Sequence, residues 1–319
     1  MSLPARCFRS LIRCGLTLVL AAGLLPAVAS AQQDEAPRPQ LLRSATDGSP
    51  IYITYYPALE DRNPRGVANA GVVVLLHDAG GSRLVWDKTS APPGGKPFAE
   101  VLQSQGYAVV TVDLRKHGES AQEGMSPTLK VSDYGQMVLG DMVAVKKFIY
   151  DEHQRQRLNM SKMAIVAAGM SAPIAAAFSE ADWKIPPYDD SPLPSNRTPR
   201  GQDVRALVLL SPETTAGKVN LAKSLKFLQT PALQISFLII AGSRDAQDRN
   251  QARNAYQIVS ANRRNDDRTY FERPNTNARG TDLLANPAAK AEIPILNFLD
   301  KHLKQLDIEW RDRRSRLER

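Results

Sequence analysis

Apolar residues in this chain fall mainly into short unbroken runs rather than into alternation. Val72 to Leu76, Ala108 to Val112, Met163 to Ala167, Val204 to Leu210, Phe237 to Ala241 and Thr269 to Phe271 are such runs, as strands buried on both faces require. The opening segment differs. Leu41 to Ala45 and Ile51 to Tyr56 alternate around Asp47-Gly48, a hairpin signal that predicts an antiparallel pair. Between the runs, helical spacing recurs from Pro97 to Gln105, Tyr134 to Tyr150, Ala172 to Ala181, Leu221 to Leu228, Ala252 to Ser260 and Ala288 to Leu306. Asp133 and Asn220 are candidate caps. The repeated strand–helix order predicts an α/β domain: a mainly parallel eight-stranded sheet with helices on both faces and the antiparallel hairpin at its N-terminal edge. The proline-rich polar stretch from Ile185 to Pro199 reads as a surface excursion, since nothing in it can pack as a separate domain.

The N-terminus carries a different pattern. Arg6, Arg9 and Arg13 precede an uncharged stretch from Gly15 to Val28, followed by Ala29-Ser30-Ala31. That order predicts a secretory signal cleaved after Ala31, with a product in the periplasm or outside the cell. The alternative is an N-terminal membrane anchor, against which stand the shortness of the apolar core, Pro26 and the small residues at its end. Cleavage leaves 288 of the 319 residues, and 38 basic residues then face 33 acidic ones, so the formal charge falls from +8 to +5. Both cysteines, Cys7 and Cys14, leave with the signal, which excludes a disulfide or thiolate metal site from the mature chain. The expected organisation is a signal over 1–31, a flexible linker over 32–40, an α/β domain over 41–306 and a charged tail over 307–319. The tail, Arg311 to Arg319, mixes acids among its arginines and reads as a solvated helix end rather than a nucleic-acid patch. No membrane insertion is expected after signal cleavage, and no motif calls for a cofactor or a metal.

Four segments carry candidate chemistry. Lys162 to Pro173 runs strand, Ala167-Ala-Gly169-Met170-Ser171, helix; small residues stand two positions either side of Gly169, the spacing of a sharp strand-to-helix turn. Leu75-Leu-His77-Asp78-Ala79-Gly80-Gly81-Ser82 follows an earlier strand and is either a tight turn or a glycine-rich loop presenting backbone N–H groups. Asp113-Leu-Arg115-Lys116-His117-Gly118-Glu-Ser120 follows the next strand, and Phe237 to Asp245 forms the seventh strand and its end. Together and in this order these segments resemble the α/β-hydrolase superfamily, in its lid-less branch of serine aminopeptidases and dienelactone hydrolases. The resemblance covers nearly all of the mature chain.

That resemblance implies a nucleophile at position 169, an acid at Asp245 and a histidine in the last loop. This chain has Gly169 at the first, and its last loop reads Asn277-Ala-Arg279-Gly280-Thr281-Asp282-Leu283-Leu284, with arginine where the histidine should be. A glycine accepts the strained turn but has no hydroxyl, and an arginine has no lone pair to take a proton. Asp248 competes with Asp245 for the acid role. Of the four histidines, His77, His117 and His153 precede the acid and His302 lies some twenty residues late in a helical pattern. The N–H groups of Ala79 and Met170 are the implied oxyanion donors. Ser171 is the fallback nucleophile, since Gly169-Met-Ser171-Ala-Pro173 nearly reproduces G-x-S-x-G two residues along; its alternative role is a helix cap. The sequence therefore predicts no working triad and a non-catalytic binding or scaffolding protein, with a small molecule in the remnant cleft or a protein as partner. An active ester or peptide hydrolase using Ser171 is the rival, and a module binding through its outer helices or the tail after Trp310 is a third reading.

Overall fold

The computed structural model describes residues 36–87, 95–122, 124 and 126–319. The signal segment 1–31 and residues 32–35 of the expected linker therefore lie outside the described residues.

Eight strands form one sheet: β1 (Arg38–Arg43), β2 (Pro50–Tyr56), β3 (Val72–Leu76), β4 (Ala108–Val112), β5 (Met163–Ala168), β6 (Val204–Leu210), β9 (Ser236–Ile240) and β10 (Thr269–Glu272). Their order is β1-β2-β4-β3-β5-β6-β9-β10, and a two-stranded ribbon of β7 (Thr215–Ala216) and β8 (Val219–Asn220) stands apart. β1 with β2 and β2 with β4 are antiparallel; the six strands from β4 to β10 are parallel. The unbroken runs follow from this geometry. Side chains of Val72, Val74 and Leu76 enter one apolar layer and those of Val73 and Leu75 the other, so every residue of β3 is buried.

The helices are α1 (Leu84–Asp87), α2 (Phe98–Ser104), α3 (Val131–Gln136), α4 (Met142–Gln154), α5 (Ser171–Lys184), α6 (Leu221–Leu228), α7 (Gln251–Val259) and α8 (Glu292–Leu299). Two wide π turns, Met137–Asp141 and Asp300–Lys304, interrupt stretches where spacing predicts continuous helix. The first turn delivers the fully buried Asp141 carboxylate to Arg115, with Nη2–Oδ1 at 2.6 Å and Nε–Oδ2 at 2.9 Å. Asn220 caps α6 by accepting from Lys223 N. Asp133 differs from expectation. It sits three residues inside α3 and accepts from the backbone of Lys130, which is the N-cap.

Two boundaries also move. β1 begins at Arg38, inside the expected linker, because Arg38 pairs with Tyr55 across the hairpin. The segment 307–319 contains no helix and is not a solvated helix end. Trp310 Nε1 donates to His153 O at 2.7 Å, and the Arg313 guanidinium is buried against Asp203 at 2.8 Å. Asp203 also meets Lys146 at 3.0 Å, and Lys146 pairs with Asp182. Buried charges in this number are tolerable only when mutually paired. Among the described residues no helix is long and apolar enough to cross a membrane.

Candidate functional site

The C-terminal ends of β3, β5, β6 and β9 and the loop after β10 converge on one edge, where open α/β sheets carry their ligand crevices. At its centre is the turn between β5 and α5. Gly169 stands there with φ of +48°, its N–H donating to Leu210 O at 2.9 Å and its carbonyl accepting from Glu213 N at 3.1 Å. An L side chain rarely adopts that φ. Space forbids one as well: a Cβ added to Gly169 would overlap the carboxylate of Asp78.

Asp78 follows β3, and its carboxylate lies over the turn. Its Oδ1 accepts from Ala79 N at 2.7 Å and from Met170 N at 2.9 Å. Those are the two N–H groups implied as oxyanion donors. They converge on a single acceptor, and that acceptor is the chain's own side chain. The start of α5 lies directly behind Met170, so the helix dipole adds to the attraction for negative charge. On the far side, a Cβ placed on Gly280 would come within 2.9 Å of Asp78 Oδ2. The carboxylate is thus seated between the elbow and the last loop.

Ser171 is the first residue of α5 and is fully buried. Its Oγ accepts from Ala168 N at 3.0 Å and lies within hydrogen-bonding range of the carbonyls of Ala168, at 2.8 Å, and Leu76, at 3.2 Å. It therefore ties backward to β5 and β3. It does not cap the helix N–H groups, and its hydroxyl does not open to solvent.

The loops after β9 and β10 meet because Gly242 has no side chain: a Cβ there would lie 2.7 Å from Ala278 O. Arg244 N donates to Thr276 O at 3.0 Å and locks the approach. Arg279 Nη1 then reaches Asp245 Oδ2 at 3.0 Å, and Nη2 reaches Glu213 Oε1 at 3.5 Å. The Asp245 side chain is 4 % exposed and that of Arg279 19 %. Asp248 is occupied elsewhere, accepting from Ala252 N in the first turn of α7. Burial and the nearby charge of Asp78 push the Glu213 carboxyl above the usual range, while Arg279 pulls it down. Beside this group lies an open depression of about 480 Å³ walled by Thr214, Thr215, Gln247, Arg249 and Gln251.

None of the four histidines is turned to the elbow. His77 adjoins Asp78 in the chain, but its Nε2 accepts from Leu114 N at 3.2 Å and its Nδ1 lies 2.8 Å from Asp78 O. Its complete burial pushes its pKa down to about 4. His117 bonds Arg115 O, His153 packs under Trp310, and His302 bridges Ser236 and Tyr270. Among the described residues no cluster of His, Cys, Asp or Glu has the geometry of a metal site.

Two residues of the site, Asp78 and Glu213, are not singled out by the sequence reading. The available signal was an acid immediately before the expected oxyanion donor Ala79 in a chain whose elbow lacks a side chain. Glu213 offers none, since an acid after a strand is common in loops.

No protein-family model and no curated protein matches the chain. Solved structures do. A dienelactone hydrolase of Anabaena variabilis aligns with a TM-score of 0.53 at 17 % identity over 84 % of this chain and 99 % of its own. An esterase of Pyrococcus furiosus gives 0.55 at 13 % over 89 % and 96 %, and an acylaminoacyl peptidase of Pyrococcus horikoshii 0.55 at 12 % over 87 % and 43 %. At such identities the likeness speaks for architecture and not for chemistry. With the sheet order, the elbow and the two converging loops, it establishes that this chain has the α/β-hydrolase fold.

Proposed function

We propose that the protein is an exported α/β-hydrolase-fold homologue that binds or scaffolds and does not catalyse. One observation carries the reading: the elbow residue is Gly169, and the N–H pair beside it is filled by Asp78. Acyl transfer needs a nucleophile, a base, and free donors placed where the oxyanion forms. The first is missing, Arg279 stands for the second, and the third are engaged. The rival hydrolase would need Ser171 with an open hydroxyl and a base, yet that side chain is fully buried. A small polar molecule in the depression beside Arg279, or a protein partner, is the ligand this reading allows; a nucleic acid is not, because the surplus positive charge is dispersed.

Incubating the purified mature protein with a serine-reactive fluorophosphonate and measuring intact mass tests the reading. No adduct is the predicted result, and a stoichiometric adduct on Ser171 would refute it. The proposal of export rests on the pattern of the first 31 residues, and a mature product beginning at Gln32 in the cell-envelope or culture fraction would support it.

A further inference from the structure

We propose that Asp78 decides what the cleft can bind: its carboxylate is an internal ligand of the anion site at the elbow, and it can stay there only because residue 169 has no side chain. The inference rests on reading the cleft as a binding site, and it goes beyond that reading by assigning the selectivity to one residue.

Three observations converge. First, two backbone donors 91 positions apart in the chain, Ala79 N and Met170 N, point at the same oxygen, Asp78 Oδ1. Two aligned N–H groups with a helix N-terminus behind them hold an anion well. Second, the volume of the carboxylate and the volume of any side chain at 169 coincide. The two are mutually exclusive, so an aspartate at 78 and a glycine at 169 form one arrangement rather than two separate features. Third, the surrounding charge disfavours a second anion. Glu213 and Asp245 are already paired to the single Arg279.

The consequence is a reversal of selectivity. In the presence of Asp78 an external carboxylate or ester carbonyl must displace a tethered carboxylate whose effective concentration is on the order of millimolar or more. It must also approach against like charge. The wild-type cleft should thus reject carboxylates. With Asp78 removed, the Ala79 and Met170 N–H groups, backed by the start of α5, form an unoccupied host for one.

The test uses the mature protein and two probes followed by fluorine NMR, 4-fluorobenzoate and, as a charge-reversed control, 4-fluorobenzylamine. Asp78→Gly should bind the benzoate about tenfold or more tighter than wild type, and the amine no tighter. A stability arm runs beside it: Gly169→Ala is made alone and with Asp78→Gly, and melting temperatures are compared. The alanine should lower Tm by roughly 5 °C or more beyond its effect in the Asp78→Gly background. Failure of Gly169→Ala to fold while the double variant folds counts as the same coupling. If neither folds, the benzoate result decides. Equal benzoate binding by wild type and Asp78→Gly overturns the proposal, and so do additive Tm shifts. Ester turnover by the wild-type protein would instead refute the non-catalytic reading, and the stability arm is blind to it.

Discussion

Asp78 and Asp113 follow neighbouring parallel strands, β3 and β4, and are held by the same device with opposite consequences. Each takes two backbone N–H groups: Ala79 and Met170 for Asp78, Arg83 at 2.6 Å and Glu119 at 3.0 Å for Asp113. Each lies where a Cβ on a nearby glycine, Gly169 or Gly118, would collide with it. The difference is in the counter-charge. Asp113 is fully buried and paired with the Arg83 guanidinium, which also meets Glu119 at 2.9 Å. Asp78 is half-buried at the cleft, held by N–H dipoles and facing another carboxylate, Glu213. A neutralised charge ties loops together. A charge held by dipoles at an open edge remains available to set what approaches. The motif around Asp113 is a scaffold, and the corner around Asp78 is a strand-to-helix turn in which a carboxylate takes the volume that Gly169 leaves empty.

The comparison breaks most visibly in stability. Removing one partner of the buried pair, as in Arg83→Met, should cost about 3–5 kcal/mol, because it strands the Asp113 charge. Asp78→Asn keeps the shape and stays near water, so its cost should be about 1 kcal/mol. Urea unfolding of both variants checks this, and equal losses would erase the distinction. Next in size is Gly169→Ser, which meets both the positive φ and the seated carboxylate; a loss of about 2–4 kcal/mol is expected, and a neutral effect would mean that the carboxylate moves aside freely.

Acid sharpens the contrast differently. His77 and His302 are both held neutral, their pKa values pushed down to about 4 chiefly by burial. Below pH 6.5 the unfolded chain binds protons that the folded chain refuses, so their contribution is present above pH 6.5 and is lost as pH falls toward 4. For the buried His77 the loss approaches roughly 3 kcal/mol. Urea midpoints from pH 7 to pH 4 should fall, and His302→Gln should flatten the slope; a flat wild-type profile would contradict the assignment.

Smaller effects belong to the cleft. A double-mutant cycle of Arg279→Met and Asp245→Asn should give a coupling of about 1–2 kcal/mol, between the exposed and buried limits, since one partner is nearly buried and the other partly open. Zero coupling would make Arg279 an ordinary surface residue. Glu213→Gln should change least. Its carboxyl is pushed up on folding, so it favours the fold below the unfolded pKa and loses that as pH rises through the folded one. At pH 7 the amide should be neutral or stabilising by under about 0.5 kcal/mol after screening, and the gain should vanish by pH 4.

The sheet was legible because strands buried on both faces leave unbroken apolar runs, and Asn220 because a cap needs only local spacing. The ends of elements were less so. β1 starts earlier than its pattern suggests, since an edge strand pairs through its backbone and carries exposed polar residues. The π turns have no residue code, and the arginine-rich segment after Leu306 reads as solvated until Arg313 is seen to meet Asp203. At the site, Gly169 and Arg279 could be noticed as departures at single positions. Asp78 left only its place before Ala79 as a signal, because its role depends on an empty volume contributed from 91 positions away in the chain by a residue with no side chain at all.

The central claim, that the elbow of this hydrolase fold performs no acyl transfer, is tested most directly by aryl-ester hydrolysis with purified mature protein, wild type beside Ser171→Ala and Asp78→Asn. A nucleophile and a base lost together leave at most weak assistance from binding. The account predicts a rate equal to buffer for all three. Turnover by the wild type that disappears in either variant would contradict it.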